Sequence, residues 1–312
     1  MTEVKTLVYF DLEATGLKSS GRPRICEISL VAVDIQDILQ LGLRLNEDKQ
    51  LCEDSYFPRI VNKLTLCVYP MAIIVPLVTD LTGLDNYNLS DQAKFSKTTG
   101  DMINNFLSCL PSPVCLVAHN GNAYDFPLLT AEFEKLGMQL NLGTFCADSL
   151  LGRKEILGKR GETIQEEKME VHAATELLKA GMFETELVEG QKEVLEEITK
   201  TSNFCQMEND LTPKGKQKTF PPSLKQKKHG NIFYPEQSKI RKKLYFSTHG
   251  APTSFKLVNL HKHLLGAPPF QSHGAEADCL ALLRTTAVLG SDWIKWLKAN
   301  CYMFSNCKKM WG

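Results

Sequence analysis

A chain of 312 residues, 43% of them hydrophobic, can build one large core or two ordinary ones. Its 36 Lys and Arg balance 36 Asp and Glu, so the net charge gives no reason to expect a polyanionic partner. No apolar run approaches the ~20 residues of a membrane helix, and "MTEVKTLVYF" lacks the basic-then-apolar order of a signal peptide, so a protein of the nucleus, the cytoplasm or both, without an anchor, is expected.

In chain order, residues 5–11 read as a buried strand and 25–35 ("ICEISLVAVDI") as a second. The alternation in "NKLTLCVY" (62–69) predicts a third. "TDLTGL" (79–84) predicts a short helix ended by Gly83, and 90–110 a longer one stopped by Pro111 and Pro113. "PVCLVAHN" (113–120) is a strand candidate, "YDFPLLTAEFEKLG" (124–137) a helix capped by Gly137, and "GTFCADSL" (143–150) a strand ending at Asp148. Past the middle, "FKLVNLHKHLLG" predicts a helix closed by Gly266, residues 272–290 another, and "WIKWLKANC" a third. Strands alternating with helices predict a mixed α/β layer fold. The 10 cysteines form no CxxC pair, and several sit inside apolar runs, as Cys67 and Cys115 do, which suits a reducing compartment.

Between these halves the charge segregates. Residues 151–210 hold 8 Lys and Arg against 14 Asp and Glu, whereas 211–250 hold 10 against the single acid Glu236. The basic stretch is poor in aliphatics and rich in breakers, the composition of an extended or disordered segment. One domain made of 1–150 and 253–312, with 151–252 as a charged insertion, is the expected organisation. The segregated cations of Lys214–Lys243 suggest an electrostatic arm for nucleic acid. The runs "KQKKH" and "KIRKK" resemble nuclear-localisation signals.

The chemistry begins in "TLVYFDLEATGL". Alternate residues of a strand share a face, so Asp11 and Glu13 point the same way. Two carboxylates at the end of a buried strand repel unless a cation joins them. Asp125 opens a predicted helix after the polar turn "HNGNAY", where it could equally be a cap. In "SHGAEADCLALL", His273 precedes a helix and Asp278 sits in its first turn. Four carboxylates and an imidazole are the parts for phosphodiester hydrolysis with two hard cations, the imidazole taking the proton of the attacking water.

With these stretches in hand, the sequence resembles the DnaQ-like 3′→5′ exonucleases of the DEDDh class, and within it the three-prime repair exonuclease family. "FDLEATGL", "NKLTLCVYP", "LVAHNGNAYDFPLL", "FKLVNLHKHLLG", "SHGAEADCLALL" and the closing "WIKWLKANC…MWG" carry the likeness over 5–150 and 253–312. The resemblance implies an RNase H-like fold with a central mixed sheet flanked by helices. It implies that Asp11, Glu13 and Asp278 bind one Mg²⁺, that Asp11 and Asp125 hold a second, that Mn²⁺ can substitute, and that His273 is the general base. Ala14, Leu17, Leu81 and Tyr124 match positions that pack around the terminal nucleotide, and backbone amides near Glu13–Ala14 would reach its 3′-hydroxyl. The implied reaction removes nucleoside 5′-monophosphates from DNA 3′ ends, preferably single-stranded, or frayed or mispaired in a duplex. A homodimer joined edge to edge through strand 62–69 is implied too.

Ala123 and Cys109 stand where arginines of the family are found, a departure that bears on duplex DNA and on the dimer but not on the metal site. An RNA-directed exonuclease of the same class stays open, because the metal chemistry does not read the 2′-hydroxyl. A silent nucleic-acid-binding protein and a polymerase-associated proofreading subunit are the remaining alternatives.

Overall fold

The computed structural model describes residues 3–47, 57–159, 252, 254–269 and 273–311. The chain divides into two compact units, Met1–Glu167 with Arg241–Gly312, and Lys168–Ile240. All the described residues lie in the first. The charged insertion from residue 160 on, with its basic arm, lies outside them, as does Ser272.

Six strands form one sheet, β1 (Thr6–Ala14), β2 (Ile25–Asp34), β3 (Ile60–Cys67), β4 (Val114–Ala118), β5 (Phe145–Asp148) and β6 (Tyr302–Met303), in the order β3-β2-β1-β4-β5-β6. β1 is central because its residues are apolar on both faces up to Asp11. It pairs antiparallel with β2 and parallel with β4, so the sheet is mixed. β3 forms one edge and leaves most of its side chains partly or fully exposed.

The period-2 alternation of β1 sorts the molecule into layers. Leu7 and Tyr9 face a core that contains Ile38, Leu282, Trp293 and Leu297. Val8, Phe10 and Leu12 face a second core with Ile103, Phe106, Phe126 and Leu129. Helices α1 (Ile35–Glu47), α6 (Leu257–Leu265) and α7 (Ala275–Asn300) cover the first face, with the helical residues 149–159 (α5). Helices α3 (Lys97–Ser108) and α4 (Asp125–Lys135) cover the other, and α2 (Pro76–Thr82) is a short helix with no buried residue. Asp11 and Glu13 continue the row of Leu7 and Tyr9, on the face that α7 covers.

The expected elements are present with shifted ends. Gly83, Gly137 and Gly266 all adopt positive φ, and Gly83 and Gly266 are the C-caps of α2 and α6. The helix expected over 90–110 starts only at Lys97, because Ser96 and Thr99 form a capping box there. The two helices expected after residue 272 are one continuous element broken at Gly290, whose φ of 52° and ψ of −122° are not helical. Helix α1 is an addition. Its start is marked by Asp34, whose Oδ1 accepts the Gln36 N–H at 2.8 Å, and Ile35, Ile38 and Leu41 bury one face. Among the described residues no helix is long and apolar enough to cross a membrane.

Candidate active site

The end of β1 positions the first two acids. Asp11 pairs with Ser29 and Glu13 with Glu27 on β2, and the register then slips so that Ala14 faces Ile25. Such a bulge re-aims side chains at a strand end. α7 brings the third acid. Its first turn is seated by Cys279, whose thiol donates to the carbonyls of Tyr9 (3.3 Å) and Ser29 (3.5 Å). Asp278, one residue earlier, thereby reaches the strand end. One ligand atom from each of Asp11, Glu13 and Asp278 lies within 4.8 Å of the others.

Asp125, at the first position of α4, is 5% exposed and close enough to Asp11 to raise its pKa. The loop before it is held by Asp148. One carboxylate oxygen of Asp148 accepts the N–H groups of Asn120 (3.0 Å) and Leu150 (2.9 Å), and the other accepts that of Asn122 (3.1 Å). With both oxygens engaged, Asp148 is a scaffold rather than a ligand.

The electrostatics fit a cation. Burial, followed by the charges of Asp125, Asp278, Glu13 and Glu27, pushes Asp11 far above the usual carboxylate range. Burial and Asp278, Glu27 and Asp125 push Glu13 up to about 8. Burial raises Asp125 to about 7, although amides of Asp125 and Leu12 oppose it, and raises Asp278 against the opposing effect of His273. No ion pair among the described residues neutralises any of the four. Half-buried oxygen ligands with mutual repulsion and no cationic side chain suit a hard divalent ion.

Two histidines compete for the role of base, and the geometry separates them. The Nδ1 of His119 faces an Arg153 guanidinium nitrogen at 3.1 Å, and its Nε2 faces the Phe255 carbonyl at 3.0 Å. A guanidinium has no acceptor, so Nδ1 accepts and Nε2 carries the proton. Burial and the Arg153 charge depress the His119 pKa to about 3. It stays neutral and locked. His273 is exposed, adopts a left-handed φ of 67°, and donates its backbone N–H to Asp278 Oδ2 at 3.3 Å. Its ring is therefore the one that solvent reaches beside the carboxylates.

Of the residues expected around a terminal nucleotide, Ala14 ends β1 and Leu17 follows it. Ala14 is buried, whereas Leu17 is 65% and Leu81 47% exposed. The Val75 N–H donates to the Thr15 carbonyl at 3.1 Å, which ties the start of α2, and with it Leu81, to the Ala14–Leu17 turn. The Tyr124 hydroxyl donates to the Gly16 carbonyl and ties α4 to the same turn. Exposed apolar side chains on anchored elements are what a stacked base requires. The sequence reading passed over Glu27 and Arg153. Neither charge carries a sign of its partner in the sequence.

No protein-family model matches the chain. Three-prime repair exonuclease 1 of Bos taurus is 38% identical over 156 residues, covering 49% of this chain and 48% of that protein. Three prime repair exonuclease 2 of Mus musculus is 38% identical over 148 residues, covering 47% of this chain and 60% of that one. The chain thus spans about half the length of the curated relatives it matches. Among solved structures, a zinc-bound complex of E. coli exonuclease I with single-stranded DNA gives a TM-score of 0.51 at 12% identity, covering 95% of this chain and 43% of that one. A second exonuclease I structure gives 0.50 at the same identity and coverage. At that identity the likeness bears on the fold, which is the DnaQ-like, RNase H-like one expected from the sequence. The resemblance read from the motifs is borne out by the curated relatives: over about half of its length the chain is similar to three-prime repair exonucleases.

Proposed function

We propose that this protein is a metal-dependent 3′→5′ exonuclease that releases nucleoside 5′-monophosphates from DNA 3′ ends, single strands preferred. The observation that carries the reading is the convergence of Asp11, Glu13 and Asp278 on one point, with Asp125 beside them and, among the described residues, no ion pair to any of the four. The similarity to three-prime repair exonucleases supports the polarity and the DNA substrate.

Asp11, Glu13 and Asp278 hold one Mg²⁺, and Asp11 with Asp125 a second, with Mn²⁺ as a substitute. Such ions supply Lewis-acid stabilisation of the charge that develops on phosphate oxygens. The protein does the rest. Leu17 and Leu81 stack on the terminal base, Ala14 leaves room for the sugar, and the amides at Glu13–Ala14 meet the 3′-hydroxyl. Tyr124 holds the turn that carries them. His273 takes the proton from the attacking water and, being exposed, passes it to solvent. Nothing in this set reads base identity, so sequence preference should be weak.

The exposed edge of β3 supports a homodimer joined through that strand, and a molar mass near one chain, 35.0 kDa, by light scattering at micromolar concentration would overturn it.

Degradation of 3′- and 5′-labelled DNA and RNA oligonucleotides with Mg²⁺ tests the activity. Stepwise 3′ shortening of DNA is expected, lost with EDTA, in Asp278→Asn and in His273→Ala. Faster loss of RNA would move the substrate to RNA. Intact DNA binding without cleavage by the wild type would leave a binding module.

A further inference from the structure

Glu27 is a fifth carboxylate on the face of Asp11 and Glu13. It stands directly across β1–β2 from Glu13, it is half-buried, and it raises the pKa of both neighbours. No ion pair among the described residues includes it. A charge placed there costs stability unless it does something else.

The start of α7 indicates what that is. The N-cap of this helix is Gly274, which has no side chain to cap with. The first N–H of the helix, that of Ala275, has no acceptor within the helix, and the Glu27 Oε2 accepts it at 2.9 Å. A carboxylate from the neighbouring strand thus satisfies a helix-start N–H from outside the helix, and it lies at the positive end of the helix dipole.

The turn it holds carries the chemistry. His273 and Asp278 flank Ala275, and they are joined to each other through the His273 N–H, while the Asp278 N–H returns to the Gly274 carbonyl at 2.9 Å. Cys279 ties the far side of this small knot to the Tyr9 and Ser29 carbonyls, and Glu27 ties its near side, at Ala275. A further tie reaches it from outside, where Glu276 bonds Lys63 at 2.7 Å and Thr65 at 2.9 Å on the edge strand. That contact sits on the exposed rim. The Glu27 contact lies on the inner side, one strand from Glu13.

We propose that Glu27 is a positioning residue: its carboxylate fixes the His273–Asp278 turn against β1, setting Asp278 and the base relative to Asp11 and Glu13. Its consequence for catalysis rests on the exonuclease reading above, whereas its consequence for the helix end does not.

The test compares wild type, Glu27→Ala and Glu27→Gln in two measurements. The first is hydrogen exchange over residues 273–279 in metal-free protein. Glu27→Ala should speed exchange of the Ala275 amide about 10- to 100-fold, the worth of a hydrogen bond to a charged acceptor. Glu27→Gln keeps a carbonyl acceptor and should stay close to wild type. The second is steady-state DNA hydrolysis. Glu27→Ala should lower kcat about 10- to 100-fold with KM little changed, as expected when catalytic groups are misplaced rather than removed, and Glu27→Gln should recover most of it. Should Glu27→Ala fail to fold, Glu27→Asp withdraws the acceptor by one methylene and replaces it in both measurements. Unchanged Ala275 exchange in the withdrawn variant overturns the proposal. So does an equal loss of kcat in Gln and Ala, which would make Glu27 a ligand. A wild type without nuclease activity defeats the functional reading alone, and the exchange measurement still decides the role of Glu27.

Discussion

At the scale of single residues, the site is organised by which side chains are left charged and which are kept neutral. His119 and His273 both flank the carboxylates in sequence motifs, yet only His273 is exposed to water. His273→Ala should lower kcat by about 10²- to 10⁴-fold, whereas His119→Asn should keep kcat and lose stability instead. Steady-state kinetics and urea denaturation of both variants check this, and an unaltered kcat in His273→Ala would remove it from the role of base. Arg153 is the counterpart inside the fold. It is fully buried, burial depresses its pKa to about 9, and it donates to the Leu282 carbonyl at 3.1 Å as well as to His119, Ser149, Thr285 and Thr286. Arg153→Met fits the volume but strands those acceptors, and should cost about 1–3 kcal/mol in urea denaturation. The DxE pair was legible in the sequence because a strand has a period of 2, so two acids two apart must share a face. Arg153 was not legible, because its partners come from α5, α7 and the 119–122 loop, and only the packed structure brings these together.

At the scale of elements, what mattered was how helix ends are delivered to the strand end. Asp125 and Asp278 both occupy first turns, and a first-turn acid was readable from "AYDF" and "GAEAD". The helix starts themselves were less readable. A Ser-x-x-Thr box begins α3 later than the apolar pattern suggested, and Asp34 opens α1 where the pattern of β2 ran on. The face under α7 depends on the contact of α5 with it. Gly152 sits in α5 against the stacked pair Trp293 and Trp296, whose rings are 5.2 Å apart. A Cβ added at Gly152 would stand 2.6 Å from the Trp293 ring and 2.7 Å from that of Trp296. Alanine gains up to about 1 kcal/mol of helix propensity over glycine. Overpacking typically costs about 1–3 kcal/mol, and Trp293 is fully buried with no room to withdraw. Gly152→Ala should therefore destabilise the protein by about 1–2 kcal/mol net, and a midpoint in guanidinium equal to or above that of the wild type would contradict this.

At the scale of the whole molecule, the carboxylate cluster should make stability a function of both pH and cation. The pKa of Glu13 rises to about 8 and that of Asp125 to about 7, and those of Asp11 and Asp278 rise with them. Each is higher in the folded chain than in the unfolded one. Between about pH 4 and pH 8 the folded state therefore binds more protons, and stability falls as pH increases through that window. The metal-free protein should melt lower at pH 8 than at pH 6, by about 2–4 °C for each kcal/mol lost in a domain of this size. A divalent cation reverses the trend, because it occupies the place of the protons and binds best when the carboxylates are ionised. Mg²⁺ at about 100 times its dissociation constant adds about 2.7 kcal/mol, or about 5–10 °C at pH 8, and less at pH 6, where protons compete. Calorimetry at both pH values, with EDTA and with Mg²⁺, measures all four corners. The variant Asp11→Asn with Glu13→Gln removes two of the four acids, so it should flatten the pH dependence and lose the Mg²⁺ response together. A melting temperature that is level from pH 6 to pH 8 and indifferent to Mg²⁺ would mean that the four acids do not act as one cation site.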